Sequence, residues 1–150
     1  MYNVNINKMS IEDLKTIKDD FTTNFDEFWT SSVLEEELKN KNSYYIVAKQ
    51  NEEIVGFAGI WFSVDDIHIT NIVVRKDLRG NGIGSILLKE LIKISKSTDK
   101  QFLTLEVKDT NEPAKILYAK YGFKVQGIRK KYYNSKEDAI IMTLIINGGN

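Results

Sequence analysis

The sequence predicts an α/β domain: one mixed β-sheet of about seven strands with helices on both faces. Three observations carry this expectation. Short strand-like runs pair as hairpins near both ends of the chain, and strand-helix-strand patterns lie between them. A glycine-rich loop, Arg79-Gly80-Asn81-Gly82-Ile83-Gly84-Ser85, follows the apolar run Ile67 to Val74. It leads into the helical spacing Ile83, Leu87, Leu88, Leu91, Ile94.

In order along the chain, a short strand over 4–7 comes first, and Ser10 then serves as a helix N-cap. Leu14, Ile17 and Phe21 form the apolar face of that first helix. Ser32-Val33-Leu34-Glu35 has capping-box spacing and predicts a second helix starting at Ser32. Residues 44–49 read as a strand, Gln50-Asn51-Glu52 as a turn, and 53–62 as the hairpin partner. Asp65-Asp66 turns the chain into the strand 67–74. Beyond the loop and its helix, 102–108 is a short strand. Asn111 caps the next helix, with Pro113 tolerated in its first turn. Ala114, Leu117, Tyr118 and Tyr121 share one face of it, and Gly122 ends it. Strands over about 123–133 and 139–146 close the chain as an antiparallel pair. With no linker, repeat or low-complexity tract, residues 1–150 are expected to form a single domain.

Composition excludes several classes of function. Twenty-one basic and 21 acidic side chains cancel to a formal charge of zero, giving no general attraction to nucleic acid or anionic membranes. No apolar stretch approaches the roughly 20 residues that span a bilayer. Met1-Tyr2-Asn3-Val4-Asn5 lacks the basic start and apolar centre of a signal peptide, so a cytoplasmic protein is expected. There is no cysteine, which removes disulfides, thiolate nucleophiles and thiol-linked acyl-enzymes. The single histidine, His68, cannot make a zinc site from ordinary His/Cys ligands, and no metal is expected. It lies at the start of a strand and suits a local hydrogen bond better than catalysis. No Gly-x-Ser-x-Gly elbow supports a serine triad. Carboxylates, tyrosines and a bound cofactor remain as the chemical means.

A strand, a glycine loop and a helix start in succession point unpaired backbone N–H groups, and the positive end of a helix dipole, at one spot. Phosphate favours such a spot, and glycines let the backbone come close. An ordinary glycine turn before a surface helix is the competing reading. A Walker A loop needs a lysine after its last glycine, and none is present. A dinucleotide fingerprint needs Gly-x-Gly-x-x-Gly in an early strand-helix unit, whereas this loop is Gly80-x-Gly82-x-Gly84 in mid-chain.

The loop does match Arg-x-x-Gly-x-Gly/Ala, and this resembles the acyl-CoA signature of the GNAT (GCN5-related) N-acetyltransferases. More specific are Leu105-Glu106-Val107, Asn111, Ala114, Leu117-Tyr118, Gly122-Phe123, Gly127, Arg129, Tyr132-Tyr133 and Glu137-Asp138-Ala139-Ile140-Ile141-Met142. Together they closely resemble the bacterial ribosomal-protein-alanine N-acetyltransferases, from about Ile54 to Ile146. The resemblance implies the GNAT acyl-CoA N-acyltransferase fold and acetyl-CoA as co-substrate. Its implied acceptor is the N-terminal alanine of a small-subunit ribosomal protein. With no cysteine to carry the acyl group, transfer is expected to be direct.

The resemblance also implies roles. Glu106 becomes the proton acceptor for an α-amine that titrates near 7.7–8.0; its alternation with Thr104 and Lys108, taken alone, favours a solvated strand glutamate, and the resemblance reverses that. Tyr118 becomes the proton donor to the CoA thiolate, against simple packing on its helix stripe. Asn111 becomes a CoA contact, a role compatible with capping. Backbone groups of Ile72, Val73 and Val74 pair with the pantetheine arm and polarise the thioester. Arg79, Gly80, Asn81, Gly82, Ile83, Gly84 and Ser85 hold the diphosphate. Tyr132 and Tyr133 shape the acceptor groove, or simply pack their strand. A monomer or weak dimer is expected. The competing functions are acetylation of a small amine, a lysine side chain or other N-termini, and a non-catalytic acyl-CoA-binding module.

Overall fold

The computed structural model describes residues 3–17, 25, 31–133 and 137–147, with 31 and 131–133 described by backbone only. In chain order its elements are β1 (Asn5–Lys8), α1 (Ile11–Ile17), α2 (Ser31–Lys39), β2 (Ser43–Gln50), β3 (Glu53–Phe62) and β4 (Asp66–Val74). A single 3-10 turn (Lys76–Leu78) follows, then α3 (Ile83–Lys96), β5 (Phe102–Lys108), α4 (Glu112–Lys120), β6 (Lys124–Tyr133) and β7 (Glu137–Ile145). The seven strands form one mixed sheet in the order β1-β2-β3-β4-β5-β7-β6. The expected fold class is therefore observed. Phe21 lies outside the described residues. The second helix takes in Ser31, one residue before the start that the capping spacing suggests.

Contacts divide the chain into two compact units, Met1–Trp61 with Thr70–Lys93, and Phe62–Ile69 with Ile94–Asn150. In the first, β1, β2 and β3 form an antiparallel meander. Asn51 and Glu52 both have positive φ (52° and 71°), as a two-residue type I′ hairpin requires. Ser10 caps α1 reciprocally: its Oγ accepts from the Asp13 N–H (3.1 Å), and its own N–H donates to Asp13 Oδ2 (2.9 Å). Asp13 also pairs with Lys49 Nζ at 2.8 Å, which places α1 over the β2 face carrying Lys49 and Val47. On the other face, Ala48 is registered opposite Gly56. A Cβ at Gly56 would meet Leu87 Cδ1 at 3.1 Å and Ile83 Cγ2 at 3.4 Å, so α3 covers that side. Helices thus lie on both faces. Ile83, Leu87, Leu88 and Leu91 are all buried, each contributing about 1.5–3 kcal/mol of hydrophobic stabilisation.

In the second unit β4 and β5 run parallel, with register from Asp66↔Phe102 to His68↔Thr104. β7 pairs antiparallel with both β5 and β6. Leu103, Leu105, Val107, Ile140 and Met142 make the buried face. Thr104, Glu106, Ile141 and Thr143 occupy the opposite face, where the Thr104 and Thr143 hydroxyls are 3.1 Å apart. A bulge at Gln126 shifts the β6–β7 register.

Candidate active site

In the first unit, β4 ends at Val74 and the chain reaches α3 through the glycine loop. Gly80 and Gly82 have φ of +83° and +89°, a left-handed conformation that side chains with a Cβ adopt only under strain. A Cβ added at either would meet nothing within 4 Å, so both glycines are needed by the backbone and face open space. The first helical bond runs from the Ile86 N–H to the Gly82 carbonyl, 3.1 Å. The N–H groups of Ile83, Gly84 and Ser85 therefore have no partner within the helix. A short row of donors that follows two glycines facing open space fits a diphosphate.

Two of the predicted loop residues also bond to backbone carbonyls of the loop and the strand before it through their side chains. Asn81 Nδ2 donates to the Leu78 carbonyl at 2.9 Å, and Arg79 Nε donates to the Val74 carbonyl at 3.1 Å. Both staple the loop to itself and to the end of β4. The Ile83 side chain is buried, as is that of Val73, so either residue has only its backbone to offer a ligand. Gly56, which the sequence reading passed over, sits under this region: a Cβ there would lie 2.9 Å from the Val73 carbonyl oxygen. The ladder described between β4 and β5 covers only the first three residues of β4, well before Ile72, Val73 and Val74.

In the second unit, Glu106 projects from the polar face of β5 and is neither fully solvated nor buried: its side chain is 28% exposed. Its Oε2 lies 2.8 Å from an Nη of Arg129 on β6. Asn111 is the N-cap of α4, its Oδ1 accepting from the Ala114 N–H at 3.2 Å. Lys115 ties the same turn to Asp109 and Glu112, 2.9 Å to each; these two bonds raise the pKa of the lysine, Glu112 most strongly.

Tyr118 lies two turns after Asn111, half-buried. Its position follows from how α4 ends. The Phe123 N–H donates to the Tyr118 carbonyl (3.1 Å) and the Gly122 N–H to that of Ala119 (3.0 Å), with Gly122 at φ +100°. That is a Schellman cap, and its usual apolar contact is present as the Tyr118–Phe123 ring pair, centroids 5.8 Å apart. Gly122-Phe123 thus locks the ring of Tyr118. Tyr132 and Tyr133 belong to β6, but their side chains lie outside the described residues. His68 is registered opposite Thr104 on β5. Among the described residues, no group of three or more His, Cys, Asp or Glu side chains is arranged to hold a metal ion, and no helix is long and apolar enough to cross a membrane.

A strand running into a left-handed glycine loop at a helix start is the arrangement an acyl-CoA-dependent acyltransferase needs for its cofactor. Residues 14–123 match the profile of the acetyltransferase (GNAT) family, and the chain belongs to that family. It is 36% identical over 95% of its length to a Bacillus subtilis protein, named as a candidate ribosomal protein bS18-alanine N-acetyltransferase, of which it covers 95%. The Haemophilus influenzae ribosomal protein bS18-alanine N-acetyltransferase is 36% identical over 69% of this chain and 74% of its own. The crystal structure of the Escherichia coli ribosomal-protein-S18-alanine N-acetyltransferase superposes with a TM-score of 0.88 at 28% identity, covering 99% of this chain and 97% of that one.

Proposed function

We propose that the chain is a single catalytic domain that transfers acetyl from acetyl-CoA to the N-terminal α-amine of an alanine, and that its acceptor is the small-subunit ribosomal protein bS18 in the cytoplasm. The observation that carries this reading is the likeness to the Bacillus subtilis relative over 95% of both chains, together with the left-handed glycine loop at the start of α3. The N–H groups of Ile83, Gly84 and Ser85, with the turns at Gly80 and Gly82, hold the diphosphate. The edge of β4 at Ile72 to Val74 pairs with the pantetheine arm and polarises the thioester carbonyl. Acetyl-CoA supplies an activated acyl group: a C–N bond forms to the amine as the C–S bond breaks. Glu106 takes the proton that the amine sheds and returns it to solvent. Tyr118 gives its phenolic proton to the departing thiolate and is reprotonated from water. Asn111 holds α4 in place and contacts the CoA.

The test is a mass-spectrometric assay with an alanine-starting bS18 peptide, a lysine peptide and a polyamine. Acetylation confined to the α-amine is expected, and Glu106→Gln should lower kcat about 100-fold while acetyl-CoA affinity stays unchanged. Activity confined to polyamines or lysine side chains would remove the ribosomal acceptor. Acetyl-CoA binding with no transfer to any amine would make the protein a binding module.

A further inference from the structure

We propose that Arg129 is a positioning residue that holds the Glu106 carboxylate in place for proton transfer; the inference rests on reading Glu106 as the proton acceptor. Arg129 lies on β6 and Glu106 on β5, with β7 between them. Neighbouring strands are about 4.8 Å apart, so the two backbones stand roughly 10 Å from one another. Their side chains nevertheless meet at 2.8 Å. They can do so only by lying across the middle strand, and β7 leaves room. Arg129 is registered opposite Ala139, a single methyl group, while Glu106 is registered opposite Ile141 on the same face. A long side chain reaching over a short one thus joins residues that no turn or hairpin brings together.

The pair is too exposed to matter much for folding. Arg129 is 51% exposed and Glu106 28%, the range in which ion pairs add little stability. Its consequence is directional. A glutamate on a strand can swing about several bonds, and a proton acceptor must sit within hydrogen-bond reach of the amine. A charge-assisted contact to one oxygen fixes where the carboxylate points. Arg129 touches the carboxylate and acts through it.

The experiment compares Arg129→Met, Glu106→Gln and the double variant in the full chain, with acetyl-CoA and an alanine-starting bS18 peptide. Arg129→Met should lower kcat about tenfold, because small misplacements of a catalytic group are costly. The KM for acetyl-CoA and the melting temperature should stay at wild-type values. In the Glu106→Gln background the same substitution should have no further effect, since a residue acting through another is not additive with it. Wild-type kcat in Arg129→Met would overturn the proposal, and so would a further tenfold loss in the double variant. If Glu106→Gln itself turned over at the wild-type rate, the proton-acceptor reading would fail first, and the two failures are told apart by that single variant.

Discussion

Tyr118 is packed and half-open at once: its ring leans on Phe123 at 5.8 Å while the residue as a whole stays half-buried. Tyr118→Phe keeps that contact and removes only the hydroxyl. It should lower kcat by about tenfold or more with the melting temperature unchanged; steady-state kinetics beside a thermal melt would check this, and a wild-type kcat would leave Tyr118 a packing residue. Helical spacing placed Tyr118 on a shared face with Ala114, Leu117 and Tyr121, but all four are only half-buried, because period alone does not say how much lies over a face. The Arg129 partner of Glu106 was likewise hidden, since it depends on the registers of two ladders. Asp13 offers a test in another part of the molecule. Burial by itself would raise its pKa, but Lys49 at 2.8 Å and the Ser10 hydrogen bonds overcome this and hold it below the ordinary 3.8. A depressed carboxyl stabilises the fold fully above its unfolded value, and the gain is lost as pH falls through the lower folded one. Its bond to Asp13 raises the Lys49 pKa above 10.5, so that contribution is complete below 10.5 and fades only at higher pH. Melting temperatures of wild type and Asp13→Asn should therefore differ by a constant amount at neutral pH and converge as pH drops below 3.8. A gap that persisted undiminished at the lowest pH would mean that the carboxylate charge is not its source.

Among the elements, β3 explains most about how the loop is held. Gly56 lets the Val73 carbonyl and the first turns of α3 close onto the strand: a Cβ would come within 2.9 Å of that oxygen and 3.1 Å of Leu87. Gly56→Ala should cost about 1–3 kcal/mol through overpacking, read by urea denaturation. It should also weaken acetyl-CoA binding in a calorimetric titration, because the displaced atoms are the end of β4 and the start of α3. Unchanged stability and affinity would show that both can shift without consequence. The strand itself was legible from its apolar run, and the turn before it from Asn51; the need for glycine was not, since it arises only when α3 returns over the sheet. The end of α4 was easier. Gly122 marked the stop, and the Schellman geometry gives a physical reason for Phe123 to follow it.

Over the whole chain, the number and kind of elements were readable, but the place of β7 between β5 and β6 was not stated by hairpin logic, which says only that the last two strands pair. A signal was present. Ala139-Ile140-Ile141-Met142 carries none of the charge that guards a sheet edge, whereas Lys124, Arg129, Lys130 and Lys131 mark β6 as an edge. The glycine loop, by contrast, was legible in position, because strand, loop and helix are contiguous in sequence; the left-handed turns at Gly80 and Gly82 came only with the structure. Its function can be tested on the intact protein without knowing the acceptor. A ligand that binds only the folded state at about 100 times its Kd stabilises it by roughly 2.7 kcal/mol. For a chain of this size each kcal/mol raises the melting temperature by about 2–4 °C, so saturating acetyl-CoA should add roughly 5–10 °C. S-acetylpantetheine carries the same thioester and arm but no diphosphate, and at equal concentration it should add almost nothing. Replacing Gly82, at φ +89°, by alanine should shrink the acetyl-CoA shift towards the pantetheine value, since a strained loop no longer presents its N–H groups together. Equal shifts with the two ligands would mean that the arm alone drives binding and that the row of amides at the start of α3 holds no phosphate.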